Sequence, residues 1–130
     1  MKPKILVVSA DYYKNISFDL KLCTSDFLDK KTKYKFISVP GVFEIPVVIS
    51  KNIKKYDGFI ALGCVIKGET PHFDFISSAT TNAIMKLSIE HKKPIGNGII
   101  TCLNMKQAKA RSKLKGIEAA KAVLSVLKIF

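Results

Sequence analysis

The 130-residue sequence has no tryptophan, one arginine, two histidines and three cysteines. Cys23, Cys64 and Cys102 are odd in number and far apart, and no CxxC pair occurs. That excludes a disulfide framework and offers no zinc ligand set, so the three read as small buried hydrophobes. No apolar run approaches the roughly 18 residues of a membrane span. The apolar stretch at residues 5–10 follows two lysines but ends at Asp11, too short for a secretory signal. A soluble, cytoplasmic protein is expected. Low-complexity tracts, internal repeats and linkers are also missing. The length fits one domain over residues 1–130, of a size that buries about two-thirds of its unfolded surface.

Acidic residues are scarce as well, ten against 22 basic, for a net charge of +12. An excess of this size invites a nucleic-acid reading. The lysines fall at the ends of elements: Lys30, Lys31, Lys33 and Lys35 lie between two, Lys51, Lys54 and Lys55 close a helix, and Lys92 and Lys93 close another. Cations suit such places, and no RNP, zinc-finger or helix-turn-helix pattern accompanies them. The expectation is therefore no nucleic-acid partner, no membrane partner and an attraction for small phosphorylated anions. In a chain that uses lysine almost everywhere, the lone Arg111 stands out. Its guanidinium fork serves either a salt bridge or a bidentate phosphate contact that lysine cannot copy.

Continuous apolar, β-branched runs predict buried parallel strands at residues 4–9, 34–39, 58–63 (with 64–66 as an extension) and 95–101. Helical spacing predicts helices at 15–28, capped by Asn15 or Ser17, and at 43–55, with Pro46 in its first turn. Further helices follow at 72–90, 105–113 and 116–127. Strands alternating with helices give an α/β fold, a parallel sheet with helices on both faces. Ligands of such sheets bind beyond the carboxyl ends of the strands. Residues 10–14, 39–44, 64–72 and those from 101 onward lie there, and they hold the chain's special polar residues.

The segment GCVIKGETPH (residues 63–72) runs from a strand end into a helix start. It is neither a P-loop nor a dinucleotide fingerprint. A helix start still presents free N–H groups to an anion. Gly68 permits close backbone approach and the Thr70 hydroxyl adds a donor. His72 there is either a structural residue or a proton carrier, whereas His91, ending a helix, reads as solvated. Glu44 serves the helix dipole or accepts ligand hydroxyls. Tyr12 and Tyr13 follow the first strand, where a ring packs in the core or stacks on a heterocycle.

The motifs VPGVFEIP (39–46), ALGCVIKGETPHFDFI (61–76) and KGIEAA (115–120) resemble the lumazine synthase family, and the resemblance runs along essentially the whole chain in order. It implies a flavodoxin-like domain with a four-stranded parallel sheet, assembled as a homopentamer or multiples of it, with active sites between adjacent subunits. It implies condensation of a ribitylaminopyrimidine with a butanone phosphate in riboflavin biosynthesis, without metal or other cofactor. Residue by residue, Tyr12 matches the ring-stacking aromatic. Val42, Phe43 and Glu44 match the stretch binding the pyrimidine and ribityl chain. Cys64, Val65 and Ile66 match the backbone lining the heterocycle. Gly68, Glu69 and Thr70 match the phosphate loop, and His72 the proton-transfer histidine. Arg111 and Lys115 match a phosphate anchor and a lysine supplied by the neighbouring subunit, and Glu118 matches an acidic residue near the site. Three departures stand out. Asp11 replaces a common Arg, Asn97 replaces a stacking Phe, and only Ser112, Lys113 and Leu114 separate Arg111 from Lys115. The archaeal-type riboflavin synthases share this fold but use no phosphate, so Arg111 speaks against them.

Overall fold

The computed structural model describes residues 2–69 and 72–128. Thr70, the expected hydroxyl donor of the phosphate loop, lies outside the described residues. The elements are β1 (Lys4–Ala10), α1 (Lys14–Leu28), β2 (Lys33–Val39), a 3-10 turn (Val42–Glu44), α2 (Ile45–Lys51), β3 (Gly58–Ile66), α3 (Phe73–His91), β4 (Ile95–Cys102) and α4 (Met105–Val126). The four strands are all parallel in the order β2-β1-β3-β4. This is the doubly wound, flavodoxin-like arrangement, whose order reverses beside β1 and opens a crevice between the ends of β1 and β3.

The period-2 alternation of the central strands divides the core in two. Ile5, Val7, Ile60, Leu62 and Ile100 point to one face and pack on Ile16 and Leu20 of α1 and Ala120 and Val123 of α4. Leu6, Val8, Phe59, Ala61 and Ile99 point to the other, against Ile45 and Ile49 of α2 and Ile84 of α3. β3 is buried over its whole length, as a central parallel strand covered on both sides must be.

Four local expectations are corrected. The two helices expected at 105–113 and 116–127 are one, α4, and Gly116 lies inside it. A Cβ on Gly116 would stand 2.4 Å from Thr24 Oγ1 and 2.9 Å from the Leu20 carbonyl oxygen. The glycine is there to let α1 and α4 cross closely, at a propensity cost of up to about 1 kcal/mol. The helix expected at 43–55 is a 3-10 turn followed by only seven residues of α-helix. α1 begins at Lys14 behind Tyr13, with no side-chain cap; Ser17 instead donates to the Lys14 carbonyl at 3.3 Å. Lys33 and Lys35 lie within β2, an edge strand, where lysines discourage pairing with other chains. Of the cysteines, Cys64 and Cys102 are buried as expected and Cys23 is half-buried.

Candidate active site

β1 and β3 deliver their carboxyl ends side by side, and the turn after β2 folds across them. A cavity of about 210 Å³ lies there, lined by Tyr12, Gly41, Val42, Phe43, Glu44, Cys64, Val65 and Ile76. Gly63 explains how Val42 reaches it, since a Cβ on Gly63 would stand 2.6 Å from Val42 Cγ1 and 3.2 Å from Ala10 Cβ. Tyr12 and Phe43 are both 64 % exposed. Large aromatics left open to solvent beside a cavity are available to a flat ligand rather than to the core. The Tyr12 ring is braced edge-on by Tyr13, with centroids 4.9 Å apart. Glu44 Oε1 accepts the Gly41 backbone N–H at 2.9 Å, which fixes the carboxylate at the rim.

Asp11, the neighbour of Tyr12, ties the end of β1 to α1. Ser9 Oγ donates to Asp11 Oδ1 at 3.0 Å and Lys21 Nζ lies 3.5 Å from it. Burial raises the Asp11 carboxyl, but the neighbouring hydroxyls of Ser38, Ser17 and Ser9 together with the Lys21 charge outweigh it and hold it below its ordinary value. Cys64 behaves oppositely. Burial, reinforced by Cys102 and Glu69, pushes its thiol up to about 12. A neutral thiol is no nucleophile, so Cys64 contributes shape and backbone.

Beyond the cavity, Gly68 takes φ 85 in open space, a conformation glycine adopts freely. Glu69 follows it, exposed, with its N–H on the Ile66 carbonyl at 3.3 Å. His72 precedes α3 as its N-cap rather than standing in its first turn. It has left-handed φ 64, is exposed, and its ring centroid is 6.0 Å from that of Phe75. The side chain of Ile66 is fully buried in the α1/α4 core, away from the cavity.

Asn97, Arg111 and Lys115 do not line this cavity. Asn97 is exposed on β4, its Oδ1 accepting the Ile99 N–H at 3.0 Å. Arg111 and Lys115 are one turn apart on α4, and Arg111 Nη1 donates to the Thr101 carbonyl at 3.2 Å. The expected site residues thus form two groups, one over β1 and β3 and one on the β4/α4 flank. Gly41, Ile76 and Asp11 were not singled out as site residues by sequence reasoning. Gly41 and Ile76 stand inside the two long motifs, and Asp11 registers there only as a departure. A larger cavity of about 400 Å³ lies at the opposite end of β4, between Ser88, Lys92 and Val126, away from the strand carboxyl ends where this fold binds ligands.

Fold and site together define a flavodoxin-like α/β protein with a small-molecule crevice at its switch point and a second polar group on its far flank. The family model for 6,7-dimethyl-8-ribityllumazine synthase matches residues 2–130. The chain is 43% identical to the 6,7-dimethyl-8-ribityllumazine synthase of Bartonella henselae, over 97% of this chain and 87% of that one. It is 41% identical to that of Bartonella bacilliformis, covering 98% and 90%, and 39% identical to that of Agrobacterium fabrum, covering 98% and 95%. The chain belongs to the 6,7-dimethyl-8-ribityllumazine synthase family, transferase-type condensing enzymes of riboflavin biosynthesis.

Proposed function

We propose that the chain condenses 5-amino-6-ribitylamino-2,4-pyrimidinedione with 3,4-dihydroxy-2-butanone 4-phosphate to 6,7-dimethyl-8-ribityllumazine, at sites each completed by a second copy of the chain. The observation that carries the shared site is the division of its residues. The aromatic cavity and Glu44 lie over β1 and β3, whereas Arg111 and Lys115 lie on α4 and do not reach that cavity. A ring of copies, each placing its β4/α4 flank against the next cavity, closes the site, and a homopentamer is the assembly proposed. Phe75, Met85 and Ile89 of α3, exposed at 76%, 58% and 67%, supply apolar surface for such contacts. A single domain acting in the cytoplasm completes the reading; no described helix is long and apolar enough to cross a membrane.

In this reading Tyr12 and Phe43 hold the pyrimidine, and Glu44 accepts ribityl hydroxyls. The 5-amino group attacks the ketone, and the carbinolamine loses water to an imine. Phosphate leaves, and the ribitylamino nitrogen closes the ring with loss of a second water. Holding the two reactants together supplies several kcal/mol of the barrier. Arg111 of the neighbouring copy, with Gly68, Glu69 and Thr70 of the segment that follows β3 in sequence, receives the phosphate and stabilises it as it departs. His72 beside that loop moves protons, and Lys115 faces the pyrimidine carbonyl. The test is lumazine formation, followed by absorbance with both substrates and compared with the spontaneous condensation. Saturable acceleration in both substrates supports the proposal; a rate equal to the blank refutes it.

A further inference from the structure

The lysines scattered along the sequence are gathered by the fold. All four strands start, and all four helices end, at the same end of the sheet, opposite the cavity. Residues 2–4, 29–33, 52–57, 92–94 and 127–128 meet there. They carry ten lysines against two aspartates, a net of +8 out of the chain's +12. Both aspartates are engaged within the chain: Asp57 accepts the Lys4 backbone N–H at 2.8 Å and Asp29 accepts the Tyr34 hydroxyl. Of the ion pairs found among the described residues, Lys21 with Asp11 lies away from this end, and Lys86 with Glu90 lies on the last turns of α3 beside Lys92.

Helix C-termini attract cations, so some lysine at this end is accounted for by the fold itself. Two observations go further. Lys30, Lys92 and Lys128 end α1, α3 and α4 with φ 69, 54 and 59. Glycine fills such left-handed positions at least cost, and the strain of a side chain there is of the same size as the dipole attraction it gains. Three of four helix ends therefore carry a charge that brings little or no local stability. The second observation is a concavity of about 190 Å³ lined by Lys4, Lys33, Lys35, Tyr34 and Tyr56. The Tyr34 ring meets that of Phe36 edge-on, with centroids 5.8 Å apart, and Phe36 is 36% exposed. Lysine binds phosphates as a point charge, and Tyr34 and Phe36, on the face of β2 opposite Lys33 and Lys35, offer rings to bases that are not stacked in a duplex.

Against the expectation from the sequence of no nucleic-acid partner, we propose that this end of the molecule binds single-stranded nucleic acid, the lysines following the phosphates and the β2 aromatics offering stacking faces, without base-specific readout. The experiment measures fluorescence anisotropy of a labelled 20-nucleotide oligouridylate with the full chain across a range of salt. It is repeated with the triple variant Lys30→Gly, Lys92→Gly, Lys128→Gly and with Lys33→Gln, Lys35→Gln. The glycine variant relieves left-handed strain, so an unchanged or higher Tm reports an intact fold, and lumazine formation serves as a second check.

The expected result is tenfold or greater loss of affinity in each variant. For the triple variant the log–log salt slope becomes shallower by about 2, since each single-strand phosphate contact contributes roughly 0.7. Three results overturn the proposal. One is no binding by the unaltered chain at 50 mM salt or so. Another is equal affinity of the variants. The last is competition by duplex or by long-chain polyphosphate as strong, per phosphate, as by the oligouridylate.

Discussion

Arg111 Nη1 donates to the carbonyl oxygen of Thr101 at 3.2 Å, holding the chain's single guanidinium against the end of its own β4. One N–H of five, on a terminal nitrogen, is used, so the Nε/Nη2 edge stays free for an anion. The substitution Arg111→Lys keeps the charge and loses the fork. The expected outcome is a 10- to 100-fold higher KM for the butanone phosphate, about 1.4–2.7 kcal/mol, with KM for the pyrimidine within threefold or so. Steady-state kinetics with each substrate varied in turn checks this, and equal effects on both would remove Arg111 from phosphate binding.

His72 stands exposed at the N-cap of α3. A positioned proton carrier contributes about 10²–10⁴-fold, and proximity and phosphate stabilisation survive its removal. His72→Ala is expected to lower kcat within that range and leave a rate above the blank. An unchanged kcat would exclude the residue from proton transfer. His72→Asn, which tolerates the left-handed backbone there and lacks the imidazole, separates the chemistry from the helix start.

Cys64 lines the cavity yet keeps its proton up to about pH 12, because burial opposes the thiolate. It is expected to resist alkylation by iodoacetamide at pH 8 in the folded chain, and Cys64→Ala is expected to retain kcat within about threefold. Linkage adds a sign. The folded thiol is raised above its ordinary 9.0, so the stability it contributes is complete below pH 9 or so and is lost as pH rises toward 12. Denaturant melts of the parent and Cys64→Ala across that window check the loss, which the variant is not expected to share.

Gly116 lets α1 and α4 touch, and Gly116→Ala sets a methyl 2.4 Å from Thr24 Oγ1 and 2.9 Å from the Leu20 carbonyl oxygen. In an open helix the same change stabilises by up to about 1 kcal/mol; here, overpacking against backbone is expected to destabilise by about 1–3 kcal/mol. Adding Thr24→Ala removes the nearest atom and is expected to recover part of the loss. Thermal melts of the single and double variants decide between these signs.

The strands were legible because continuous β-branched runs have few other uses, and their existence and parallel sense follow from their alternation with helices. Gly116 misled because glycine punctuates more often than it packs; only the α1–α4 crossing gives it a reason. The 3-10 turn at Val42–Glu44 follows from the local Gly41–Glu44 cap together with the seating of Val42 over Gly63, a contact from a separate segment. Tyr12, Phe43 and Glu44 were legible as a group because their segments end at one edge of the sheet. The separation of Arg111 and Lys115 from them was not legible from spacing, since residues on different strands acquire a common or opposite flank only through sheet order. The lysines show the same effect: remote in sequence, they share one end in space.

The most direct measurement mixes two inactive chains. Arg111→Ala keeps the aromatic cavity and Glu44→Ala keeps the guanidinium. In a ring assembled at random from equal amounts, half the cavities are intact and half their neighbours' arginines are, so about one quarter of sites pair the two. Lumazine formation by the co-assembled chains is predicted to recover toward one quarter of the parent rate, while each variant assembled alone stays near the blank. No recovery, in assemblies shown by mass spectrometry to contain both chains, would contradict a site shared between copies.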